Sequence, residues 1–219
     1  SSAASDVYKR QVHIDQQVRH RLLQQDSVTV LDPFAGLGIT LNLLAQEYSH
    51  EVAEGRLKLV AVNAGIDIKA VLAGQVNIYT PLQENLAMIT DNLANERISY
   101  FTGHILTAID KLGLIGNVDI VTERLGICHS AIPDFLLYLL TNALKSDGLL
   151  YLGTNRTSKF NESKEGFGET EFLFQCRRQA FEMGIGNVLI GNRQALIDGR
   201  HCTVISTEAS NLAEYAVGD

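Results

Sequence analysis

The order of elements in this 219-residue chain predicts an α/β protein, a three-layer α/β/α sandwich around a mostly parallel sheet. Three observations carry that expectation. Short apolar segments with strand character alternate with segments of helical spacing along most of the chain. The stretch Val28 to Gln46 packs a strand, a glycine turn and a helix start into nineteen residues. Two last apolar segments, 187–191 and 202–206, lie close enough to pair at a sheet edge. Seven strands are expected, the last one antiparallel.

The glycine turn organises the rest. Val28, Val30 and Leu31 are apolar and favour extended backbone, as in a strand covered on both faces. Asp32 stands where that strand ends. Gly36 and Gly38 then permit a sharp turn that lets backbone approach a ligand. Thr40 to Gln46 follows with helical spacing and places Leu41, Leu44 and Ala45 on one face. A dinucleotide fingerprint would need glycine at position 41, where Leu41 stands, and a P-loop would need Gly-Lys-Ser/Thr. Neither is present.

The segment Asp32-x-Phe34-x-Gly36-x-Gly38, written DPFAGLG, resembles the first motif of class I S-adenosylmethionine (SAM) dependent methyltransferases. The resemblance spans about 28–206 and implies a Rossmann-like sheet with SAM as cofactor. It implies that Asp32, Phe34, Ala35, Gly36 and Gly38 line the methionine side.

Before the turn, residues 12–25 read as a helix with Val12, Val18, Leu22 and Leu23 roughly on one face, packed beside the first strand or closing over a cofactor. Residues 1–11 read as a leader of tag or adapter origin. Residues 12–208 then form a single domain and 209–219 a tail.

The second strand is Leu57 to Asn63. In the family an acidic residue ends this strand and holds the ribose hydroxyls. Here Asn63 stands at that place and Asp67 lies just beyond. Asn accepts a hydroxyl hydrogen bond less strongly than a carboxylate does, so the ribose contact falls to Asn63 or Asp67. Ile68 to Ala73 makes a short helix. Thr80 and Pro81 are placed as cap and first residue of another, with Leu82, Leu86, Ile89 and Leu93 inward.

Ile98 to Phe101 is the third strand. His104 stands near where the family carries an acidic residue that meets adenine. It reads either as an adenine or substrate contact or as a helix N-cap or solvated loop histidine. Helix 105–113 follows, with Ile105, Leu106, Ile109 and Leu112 inward.

The fourth strand, Val118 to Thr122, ends in the loop Glu123 to Ser130. Ligand residues in doubly wound sheets gather at carboxyl ends of strands, which makes this loop rich in candidate chemistry. Methyl transfer is an in-line displacement on a sulfonium, and the enzyme must align the acceptor and often take its proton. Glu123 and His129 are the candidate bases, and Cys128 is a less favoured nucleophile. DIVTERLG also loosely resembles the glutamate loop of protein arginine methyltransferases. The Pro-Pro-Tyr motif of amino-methylating DNA enzymes is absent here.

A strongly apolar helix, 132–144, closes at Lys145-Ser146-Asp147-Gly148, and the fifth strand begins at Leu149. Residues 154–168 are polar and read as a substrate lid or a plain connection. A helix over 169–183 precedes the paired end strands, with Asn192 to Arg200 joining them.

Composition bounds the partners. The chain is 46% hydrophobic and 20% charged, with formal net charge −7. Such acidity does not favour nucleic acid, although Arg156, Lys159, Lys164, Arg177 and Arg178 supply local basic groups. A small-molecule or protein acceptor is therefore expected over DNA. Cys128, Cys176 and Cys202 are scattered, which speaks against a disulfide framework or zinc site and for the reducing cytoplasm. No apolar run suggests a membrane span, and no metal centre is expected.

Overall fold

Val28, Val30 and Leu31 are fully buried, and their strand, β1 (Val28–Asp32), lies in the middle of the sheet. A computed structural model describes residues 3–65, 67–75, 85–123, 133–152, 185–190, 193–196 and 200–206. Beside β1 run β2 (Leu57–Asn63) and β4 (Val118–Thr122), both parallel to it. Outside β2 lies β3 (Ser99–Thr102), and outside β4 lies β5 (Leu144–Leu152). The five strands run parallel in the order β3-β2-β1-β4-β5. Strand addition changes direction between β1 and β4, so these strands bound the crevice where such sheets bind ligands.

Alternation along the strands divides the core. Val28 and Val30 join Leu57, Leu59 and Ala61 on one face, against helices α1 (Ala3–Gln24) and α2 (Ile39–Glu47). Leu31, Val60 and Val62 point to the other, against α6 (Ile105–Lys111) and α7 (Pro133–Ala143). A short α3 (Ser49–Ala53) follows α2, and α4 (Ile68–Leu72) and α5 (Leu86–Ala94) form a smaller cluster with Leu37 and Tyr100. These are the expected three layers.

The far edge corrects the expected sheet. After β6 (Ile185–Ile190) comes a short strand, β7 (Arg193–Leu196), where a plain connection was expected. It pairs antiparallel with β6 across two intervening residues, as a hairpin must. This added reversal sends β8 (Arg200–Ser206) back in the β6 direction. The last strand is therefore parallel, to both β5 and β6, and the described sheet has eight strands rather than seven.

Helix faces were read partly wrong. On α1 the buried apolar row is Ile14, Val18 and Leu22, spaced by four, while Val12 and Leu23 are exposed. The helix also begins at Ala3, earlier than its apolar pattern indicates. On α6, Ala108 takes the inward place that Leu106 and Leu112 were expected to fill, and both leucines face outward. The segments 80–84, 154–168, 169–183 and 209–219 lie outside the described residues.

Lys145 to Gly148 belongs to β5 rather than to a closing turn. Pairing jumps from Val118↔Leu144 to Ile120↔Leu149, so the intervening residues bulge. The bulge serves a buried charge. Asp119 is fully buried and accepts from Lys145 Nζ at 3.0 Å on both oxygens, from Gln25 Nε2 at 3.0 Å and from the Thr29 amide at 2.8 Å. Arg21 Nη1 stands 3.5 Å from the same carboxylate, and Arg21 also donates to the Asp147 carbonyl. One acidic side chain thus joins α1, β1, β4 and the bulge. Asp119→Ala removes the buried acceptor of Lys145 and one of the acceptors of Arg21, which keeps Asp147. A loss of about 3–5 kcal/mol is expected in urea denaturation.

Tyr48, between α2 and α3, ties α1 to this layer by donating its hydroxyl to Asp15 Oδ1 at 2.7 Å. Burial first, and then the bond to Asp15, pushes its phenol up to about 12. An unfolded tyrosine loses its proton near pH 10, so the stability held by the protonated native phenol is full below that and drains away as pH rises toward 12. Tyr48→Phe should shrink the alkaline loss of thermal stability over that interval, measured as melting temperature against pH.

Candidate functional site

The carboxyl ends of β1, β2, β3 and β4 bring the candidate residues to one edge of the sheet. At the end of β1 the chain turns on Asp32, whose Oδ1 accepts from the Phe34 amide at 3.3 Å. Phe34 packs on one core face and Ala35 on the other, which seats the start of the turn. The Ala35 amide reaches back to the Val62 carbonyl of β2 at 3.1 Å, and the Gly38 amide closes on the Ala35 carbonyl at 2.7 Å. Gly36 and Gly38 have φ of 55° and 67°, in the left-handed region where a side chain is strained. A Cβ at Gly36 would meet no heavy atom within 4 Å, whereas one at Gly38 would lie 3.4 Å from Tyr100 Oη. The turn therefore presents an open side at Gly36 and a packed side at Gly38.

That packed side is a hydrogen-bonded network that sequence reasoning missed. Asn42 lies in α2 and is fully buried. Its Nδ2 reaches the Leu37 carbonyl at 3.1 Å, the Gly38 carbonyl at 2.9 Å and Tyr100 Oη at 2.8 Å. Tyr100, on β3, donates its hydroxyl to the Leu37 carbonyl at 3.2 Å. Asn92 of α5 donates to Asn42 Oδ1 at 2.9 Å, and Arg97 donates to Asn92 Oδ1 at 3.0 Å. Burial raises the Tyr100 phenol, the Asn42 bond pulls it down and the charge of Asp32 raises it again. The legible signal was Asn42 itself, a polar residue beside Leu41 on an otherwise apolar helix.

Asn63 is buried at the end of β2, with its Nδ2 donating to the Gly36 carbonyl at 2.7 Å. Asp67 is exposed and caps α4, its Oδ1 accepting from the Lys69 amide at 2.9 Å. His104 is also exposed and caps α6, with Nδ1 3.4 Å from the Leu106 amide. Glu123 follows β4, wholly buried, its backbone amide bonded to the Tyr151 carbonyl at 2.9 Å. The Tyr151 side chain is hydrogen-bonded to His13 of α1, so the helix reaches the strand end beside Glu123. Cys128 and His129 lie outside the described residues.

The donor set suits an organic cofactor lying across β1 and β2. The turn is open at Gly36, a carboxylate stands at the end of β1, and an amide and a second carboxylate stand at and beyond the end of β2. Among the described residues no three His, Cys, Asp or Glu side chains cluster as a metal site would. No described helix is long and apolar enough to cross a membrane.

The five central parallel strands and their flanking helices form a Rossmann-like α/β/α arrangement. The chain is similar to a Bacillus halodurans protein described as a "putative methyltransferase", with 19% identity and a TM-score of 0.47 over 76% of this chain and 68% of that one. It is also similar to the plantazolicin methyltransferase BpumL, solved with a pentazolic desmethylPZN analogue and SAH. That likeness has 14% identity and a TM-score of 0.43 over 78% of this chain and 56% of that one. No family model and no curated protein matches the sequence.

The packed side of the turn yields a test. Gly38→Ala adds a Cβ at φ of 67° beside Tyr100 Oη. A stability loss of about 1–3 kcal/mol is expected by thermal denaturation. Gly36→Ala carries the strain without that contact and should cost less.

Proposed function

We propose that this chain is a SAM-dependent methyltransferase acting on a small-molecule or protein acceptor in preference to DNA. The observation that carries the reading is the position of the turn. Asp32, Gly36 and Gly38 stand at the carboxyl end of the central strand, beside the crevice between β1 and β4, with the turn open at Gly36. When bound, SAM supplies a methyl group on a sulfonium sulfur. In this proposal Asp32, Phe34, Ala35, Gly36 and Gly38 hold the methionine side, Asn63 or Asp67 the ribose, and His104 the adenine edge. The buried Glu123 orients the acceptor and takes its proton, with His129 as the other candidate base. Net charge of −7 and the missing Pro-Pro-Tyr motif favour the acceptor class. The domain proposed is 12–208, in the cytoplasm.

A second reading is a methyltransferase-like domain that binds without catalysis. Its support is that Asp67 and His104 both spend a side-chain acceptor on capping a helix, and Asn63 spends its amide on the turn. A nucleotide-dependent oxidoreductase is a weaker alternative, since Leu41 replaces the third glycine.

Calorimetric titration with SAM and S-adenosylhomocysteine (SAH) separates these. Binding in the micromolar range, lost in an Asp32→Ala, Gly36→Val double variant that still folds, is the expected result. Binding without turnover across an acceptor panel favours the second reading. No binding of either ligand, with NAD or NADP bound instead, overturns both.

A further inference from the structure

Three successive carbonyls of the glycine turn are held by side chains. Asn63 Nδ2 donates to Gly36 O at 2.7 Å. Asn42 Nδ2 lies 3.1 Å from Leu37 O and 2.9 Å from Gly38 O, and Tyr100 Oη adds a second donor to Leu37 O at 3.2 Å. A trans peptide carries its N–H opposite its C=O. Fixing these carbonyls toward the protein therefore turns the amides of Leu37 and Ile39 the other way. The intervening Gly38 amide is spent on Ala35 O.

We infer that Asn42 and Asn63 are positioning residues that set the peptide planes of the turn for its ligand, and that Asn63 does this as a hydrogen-bond donor. The inference rests on the SAM reading above. It gives position 63 a requirement opposite to that of a simple ribose contact. A carboxylate there is the better acceptor for hydroxyls but has no hydrogen to donate. It also sets an anionic oxygen against the Gly36 carbonyl oxygen. Asn63 meets the requirement because its amide donates to the turn while its Oδ1 is a separate acceptor.

The test is titration of SAH into the full chain as wild type, Asn63→Asp and Tyr100→Phe, with a melting curve for each without ligand. Asn63→Asp should bind SAH about tenfold or more weakly at pH 7.5, a loss comparable to one charge-affected hydrogen bond. A protonated carboxyl regains a donor, and burial raises the pH at which protonation occurs. The affinity ratio between variant and wild type should therefore narrow as pH falls from about 7.5 to about 5.5, which a general weakening of the fold would not produce. Tyr100→Phe should bind about threefold more weakly, with no such pH dependence.

Equal or tighter binding by Asn63→Asp at pH 7.5 overturns the inference and leaves Asn63 as a ribose acceptor. If Asn63→Asp does not fold, unchanged affinity in folded Tyr100→Phe overturns it instead. Failure of wild type to bind SAH is a different result, because it removes the SAM reading along with the inference.

Discussion

The pairing of β1 on both sides places this site. With β2 and β4 parallel to it, the three strands deliver their carboxyl ends to the same edge. Asp32, Asn63 and Glu123 then become neighbours in space although each is separated by tens of residues in the chain. A slip of β4 against its neighbours would take the buried Asp119 away from Lys145, Gln25 and the Thr29 amide. The register between β1 and β2 sets the distance between the glycine turn and the Asn63 amide.

The sheet uses its buried polar groups differently at its two ends. At the amino end, Asp119 gathers a lysine, an arginine, a glutamine and a backbone amide. The partners are charged and numerous, as a buried carboxylate requires. At the carboxyl end the groups that hold the turn itself are neutral amides and a phenol, Asn42, Asn63 and Tyr100, with Asn92 and the Arg97 guanidinium behind Asn42. Neutral groups hold the turn, so the acidic side chains at this end are those of Asp32 and Glu123 at the strand ends. The contrast suits a scaffold anchored at one end and shaped at the other.

The strands at the core of the fold were readable because burial on both faces leaves continuous apolar runs. Val28–Asp32, Leu57–Asn63 and Val118–Thr122 have the bounds their sequences imply. Where reading failed, the information lay elsewhere in the chain. Val12, Leu23, Leu106 and Leu112 are apolar but face outward, because helix orientation is fixed by tertiary contact as well as by local pattern. The β5 bulge depends on Asp119, far away in sequence, and β7 is too short to carry a strand pattern of its own. At the site, the turn and its two glycines were visible as a local motif. The amides that hold it were not, since Asn42 and Asn92 acquire meaning only when α2 and α5 pack together.

The contacts of α1 carry a consequence for the order of assembly. Arg21 meets Asp147 across 126 residues of chain, and His13 meets Tyr151 across 138. Contacts this distant in sequence slow the search for the native state. A ribosome-bound chain that has not yet released β5 holds a helix whose His13 and Arg21 lack these partners. Helix α1 is thus fastened at its middle and in its last turn by β5, and its docking on the sheet is completed only after that strand has been made.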